Sequence, residues 1–217
     1  MDGAVAGLAV AIACYGLAFG VLAYDAGLGW VTVVAMSAMG YSGAAQAAFV
    51  AAYADGTPAA ALAAALLVNL RLALYGVMAG RLLAPRSLPV KLVGAHLASD
   101  ETIALSIAAE PPVRGRVYWA SGLTFFTAWV VSTAVGSRVG AVINDPATLG
   151  LDVAFPAVFL ALLYPMLRRR RTLIVVGIAA VATAAATPLV PIGVPLVVAL
   201  TAAVVYLVLR DRWKARP

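Results

Sequence analysis

An arginine stands inside an apolar run. From Pro58 to Gly80 the chain reads PAAALAAALLVNLRLALYGVMAG, which is long enough for one membrane-crossing helix. Placing Arg71 there costs on the order of 2.5–3.5 kcal/mol on insertion scales. It lies nine residues from Gly80, about 13 Å along a helix axis, which is farther than its side chain can snorkel. Arg71 therefore needs a partner, a water-filled cavity or a ligand.

The rest of the chain has the same character. Of its 217 residues, 64% are hydrophobic and 11% charged. A soluble domain of this length has no interior large enough for that many apolar side chains. A polytopic helical membrane protein needs none, because lipid covers its outside. The net charge of +6 sits in clusters between apolar runs, so it reads as a topology signal and not as a nucleic-acid surface. Cys14 is the only cysteine, which rules out an internal disulfide. Met1-Asp2-Gly3 lacks the basic start of a signal peptide, so the first apolar run is expected to remain as a helix.

In chain order the sequence predicts helices at Ala4–Tyr24, Val31–Ala54 and Pro58–Gly80. Leu92–Ala109 follows, unusual in carrying His96, Asp100 and Glu101. Further runs are Val117–Ile143, Leu151–Leu167, Thr172–Val190 and Val194–Leu209. Clusters at Arg81–Lys91, Arg114/Arg116, Arg168–Arg171 and Arg210–Arg216 hold 13 of the 15 lysines and arginines. All share one side if Leu92–Ala109 is re-entrant or interfacial and does not cross. That gives about seven crossings, with the N-terminus outside and the C-terminus inside. It also permits an inverted repeat within a single transmembrane domain. Its halves would be residues 4–80 and 117–190, joined by a linker over 81–116, with an extra helix at 194–209.

Polar and small residues mark the candidate site. Ser42 and Gln46 share a face of the second helix, where Gln46 either bonds a neighbouring helix or lines a polar cavity. Gly40 and Gly43 loosen the same turns, and Ser37 and Tyr41 form a second polar pair. Gly16 and Gly20, four apart beside Tyr15, either pack a helix closely or open a backbone-lined groove. Gly136 and Gly140 repeat the spacing. Tyr75 shares the face of Arg71, whereas Asn69 lies on another face and can bond a different helix. Arg71 either pairs with Asp100 or Glu101 or holds a substrate carboxylate in its planar fork. The two acids form a solvated turn or handle a proton, and His96 is four residues from Asp100. Asp152 caps a helix or handles a proton, just before the break at Phe155-Pro156. The sequence has no GxSxG, HExxH, CxxC or P-loop, and one histidine makes no metal site. An enzyme, a cofactor and a metal are therefore not expected, and any transport needs a gradient or a separate ATPase.

Five motifs in order resemble the AzlC family. They are Tyr15–Gly20, Met36-Ser37 with Gly43–Gln46, Asn69-Leu70-Arg71 with Leu74-Tyr75, Ser99–Thr102 and Gly150–Ala157. The resemblance implies the large subunit of a bacterial branched-chain amino acid exporter. Such a subunit works in the cytoplasmic membrane beside a small membrane partner of the AzlD type. It further implies gradient-driven efflux of valine, leucine, isoleucine or analogues. Arg71 would then bind the carboxylate, with Asn69, Gln46, Ser42, Gly43, Tyr15, Gly16, Gly20, Tyr75 and Pro156 around it, and Asp100, Glu101 or Asp152 would handle the coupling proton. Leu72 departs from the pattern, since members often carry histidine after Asn-Leu-Arg, and the chain starts short of the basic stretch that many members have. A passive channel, a porter for another small metabolite and a non-transporting scaffold subunit are the competing readings.

Overall fold

The computed structural model describes residues 2–54, 56–70, 72–84, 86–143, 167, 170–190 and 194–214. The described residues are helical, without strands. The elements are α1 (Asp2–Asp25), α2 (Trp30–Gly40), α3 (Gly43–Ala54), α4 (Pro58–Asn69), α5 (Leu72–Leu83), α6 (Leu88–His96), α7 (Asp100–Ala108), α8 (Arg114–Gly140), α9 (Arg170–Ala186) and α10 (Val194–Lys214), with a 3-10 turn at Pro111–Val113. The run Leu151–Leu167 lies outside the described residues, Leu167 apart.

α8 is the spine, and α1 packs along it through glycines. A Cβ on Gly20 would strike the backbone of Thr133, Gly136 and Ser137, and one on Gly136 would strike the backbone of Leu17. Gly16 meets Ser132, and Gly140 meets Val21 and Tyr24. Only residues without side chains let two helix backbones come this close. Contacts climb together along both chains, so α1 and α8 run parallel. The expected topology had them opposed, with α1 crossing inward and Val117–Ile143 outward, and this packing overturns it. For the same reason α1 and α8 do not hold inverted positions in two repeat halves. α1 ends at Gly27, whose φ of 86° lets the Leu28 amide turn back to the Ala23 carbonyl at 3.1 Å.

Two runs expected as single helices are broken. Gly40 and Gly43 flank the first break, where each glycine weakens the helix by about 1 kcal/mol relative to alanine. α2 descends from the Gly140 end of α8, where the Trp30 indole donates to the Ala134 carbonyl at 3.0 Å. α3 then returns, because Gln46 Nε2 donates to Ser37 Oγ at 3.1 Å across the break. In a straight helix those residues would stand about 13 Å apart along the axis. The second predicted helix is thus a hairpin that enters and leaves from one end. The Thr57 side chain accepts from the Ala60 amide at 3.2 Å and starts α4, which packs antiparallel on α3. The second break separates α4, ending at Asn69, from α5, starting at Leu72. Asn69 favours such an end because its amide competes with helix hydrogen bonds.

α5 carries on to the Arg114 end of α8, where Ala79 and Leu83 pack with Ile103 and Tyr118. α6 rises from that end, tied down where Tyr118 Oη donates to the Gly94 carbonyl at 2.6 Å. Ser99 leaves the helix and accepts from the Thr102 amide at 3.2 Å, which caps α7. α7 returns to Arg114, whose Nε donates to the Ala109 carbonyl at 3.0 Å. Leu92–Ala109 is therefore a hairpin with both ends at the Arg114 end. Its helices span nine residues each, about 13 Å. α9 and α10 pack together, and α10 touches α4.

Among the described residues one helix, Gly3–Asp25, is long and apolar enough by itself to cross a membrane. The breaks leave Trp30–Gly40, Gly43–Ala54 and Pro58–Asn69 apolar but half-length, whereas α8 is long and unbroken but carries Ser121, Ser132, Thr133 and Ser137 along its buried face.

Candidate functional site

The three breaks meet at one level, beside the middle of α8. The hairpin α2–α3 comes from the Gly140 end and α6–α7 from the Arg114 end, and their tips touch. His96 Nε2 lies 2.8 Å from the Ala38 carbonyl oxygen. A carbonyl can only accept, so Nε2 carries the proton in this contact. The Tyr41 ring stands 6.0 Å from that of His96. Phe126 of α8 closes the group, 5.1 Å from Tyr41 and 5.5 Å from His96.

The third break joins through Asn69. Ser42 Oγ donates to Asn69 Oδ1 at 2.7 Å, linking the start of α3 to the end of α4. One turn along α3, Gln46 is 4% exposed and accepts from Trp129 Nε1 at 2.9 Å. The indole N–H only donates, so it fixes which end of the amide faces α8 and aims Nε2 at Ser37. Gln46 thus bonds helices on both sides. Gly43 presses against Tyr15 Cε1 and Trp129 Cη2, where a Cβ would come within 2.8 and 3.0 Å. Tyr15 and Phe19 stack around Trp129 at 5.2 and 5.5 Å.

The structure therefore gathers Tyr15, Ser42, Gly43, Gln46 and Asn69 from the predicted set. Asp100 and Glu101 open α7 at the tip of its hairpin, both half-buried, where the helix N-terminus favours acids. Glu101 lies close enough to act electrostatically on Tyr41. Tyr75 packs with Ala79, Leu83 and Tyr118. Gly16 and Gly20 are corrected: they face α8 at van der Waals contact and line no groove, because the spacing that could have opened one serves close packing. His96 does not sit one helical turn below Asp100, since α6 and α7 are separate helices between them. Arg71, Asp152 and Pro156 lie outside the described residues. Trp129, Ser99 and the bridging roles of Tyr41 and His96 were not predicted. The cluster Gly40-Tyr41-Ser42-Gly43 was the sequence signal for the first tip.

A cavity of about 580 Å³ opens between α5 and α6. It runs from Lys91 near the Arg114 end to Leu72 and Ala98 beside the junction. Among the described residues no group of three or more His, Cys, Asp or Glu could hold a metal ion.

The family model described as AzlC protein matches residues 7–143, which contain both hairpins, the break after Asn69 and all of α8. No curated protein and no solved structure matches the chain. The match covers more than half of the sequence and every element that builds the junction, so the chain belongs to the AzlC family.

Proposed function

We propose that the chain is a multi-pass transporter subunit of the bacterial cytoplasmic membrane that exports branched-chain or similar small neutral amino acids. The observation that carries the reading is the meeting of three helix breaks at mid-height on α8. In lipid, interrupted helices survive only where the freed backbone groups meet protein or a polar cavity. The ends also suit the substrate class. The N-termini of α3, α5 and α7 reach the junction with the C-termini of α2, α4 and α6. Helix N-termini favour a carboxylate and C-termini an ammonium, and a neutral amino acid carries both. Arg71, two residues beyond Asn69, supplies a planar fork for the carboxylate.

The basic residues orient the molecule. Arg81, Arg86, Lys91, Arg114 and Arg116 cluster at one end of α8, which is then cytoplasmic. Because α1 runs parallel to α8, its start is cytoplasmic too. The cavity from Lys91 supplies a path from that side to the junction. A proton gradient drives export through Asp100 or Glu101, and a small membrane partner of the AzlD type completes the transporter.

Proteoliposome uptake of an amino-acid panel, with and without a pH gradient and the partner, tests this. Saturable flux of valine, leucine or isoleucine with counterflow is the expected result. Linear flux without counterflow would make the chain a channel, and no flux in any arrangement would make it a scaffold.

A further inference from the structure

We infer that the hairpins α2–α3 and α6–α7 are opposed gates of the junction, and that His96 is the positioning residue that latches one to the other. The inference deepens the transport reading and depends on it for its purpose.

Each hairpin is tied to α8 at its own end and again beside its tip. α2–α3 is fixed by Trp30 to the Ala134 carbonyl at 3.0 Å and by Gln46 to Trp129 at 2.9 Å. α6–α7 is fixed by Gly94 to Tyr118 at 2.6 Å and by Arg114 to Ala109 at 3.0 Å. Leu97 and Thr102 rest on Gly122. Between the hairpins the contact is of another kind: the His96–Ala38 bond at 2.8 Å and the tilted rings of Tyr41 and His96, both closed against Phe126 of α8.

The contrast with α1 and α8 is physical. Those two touch backbone to backbone and cannot slide without collision. The tips touch through side chains that can part by rotation. α1 and α8 are the frame, and the hairpins are the parts hung on it from opposite ends. Withdrawing α2–α3 opens the junction toward the Gly140 end, and withdrawing α6–α7 opens it toward the Arg114 end. The latch forms when both are home.

The test uses the full chain with Cys14→Ala, in nanodiscs. Nitroxides go on Ala35→Cys in α2 and Leu92→Cys in α6, both exposed positions. Electron–electron distance measurement is expected to give two populations. His96→Ala should raise the ratio of the longer to the shorter about fivefold, the effect of one net hydrogen bond. His96→Gln should restore it, because its amide still donates to the Ala38 carbonyl. Should His96→Ala fail to fold, Tyr41→Leu removes the ring that faces His96 and should shift the ratio the same way. One distance unmoved by these variants overturns the gates, even in a protein that carries amino acids. Two distances that shift in a protein carrying no branched-chain amino acid uphold the gates and overturn the proposed substrate.

Discussion

Trp129 Nε1 donates to Gln46 Oε1 at 2.9 Å, and so α8 decides which way an amide buried in α3 faces. Gln46 Nε2 is then the end that meets Ser37. Trp129→Phe keeps the ring against Tyr15 and Phe19 and removes the donor. The unsatisfied Gln46 oxygen should cost about 1–3 kcal/mol of stability, read as a lower melting temperature in detergent. Gln46→Leu with Ser37→Ala in the Trp129→Phe background should recover part of the loss, since all three polar partners are then gone.

The glycines of α1 should rank by what faces them. Gly20→Ala sets a methyl against the α8 backbone and should lower the yield of folded protein sharply. Gly16→Ala first meets the Ser132 hydroxyl, which can turn away, so its loss should be smaller. Gly7 has open space around it, so Gly7→Ala should be neutral or gain up to about 1 kcal/mol from helix propensity. Melting temperatures of the three variants check the order.

Ser42 and Asn69 should behave as a coupled pair. Ser42→Ala, Asn69→Ala and the double variant form a cycle. A coupling energy of about 0.5–1.5 kcal/mol is expected from a bond at 2.7 Å. Additive losses would mean that the bond contributes nothing.

Arg71→Lys keeps the charge and loses the fork. Its transport rate in vesicles should fall well below that of the parent at equal membrane abundance. Export equal to the parent's would remove Arg71 from the site.

The parallel course of α1 and α8 puts the starts of both helices at one end, which the proposed orientation makes cytoplasmic. In a Cys14→Ala background a membrane-impermeant maleimide added to whole cells should label Val142→Cys, at the exposed end of α8. It should leave Ala4→Cys unlabelled. The reverse pattern would put the basic clusters outside.

Local chemistry was legible in the sequence and long-range direction was not. The Ser42–Gln46 face, the reach of Asn69 to another helix and the turn before Asp100 all follow from spacing and polarity within one segment. The α1–α8 contact joins residues more than 100 positions apart, and glycine spacing gives closeness without direction. Charge clusters alone set the first helix running opposite to Val117–Ile143, and only the glycine contacts reverse it. The fold-back at Gly40–Gly43 was harder still. The glycines showed a loosened helix, but a return depends on Trp129 and Ser37 waiting on either side of Gln46.

Both anchors of the first hairpin, Ala134 for Trp30 and Trp129 for Gln46, belong to α8. While the chain is being made, α1, α2 and α3 leave the ribosome before either anchor exists. They emerge without the surface that seats them. The early helices must wait for α8, and the bundle closes from the end of α8 backward. A chain that stops before Arg114 would hold every residue of both tips and still have no junction.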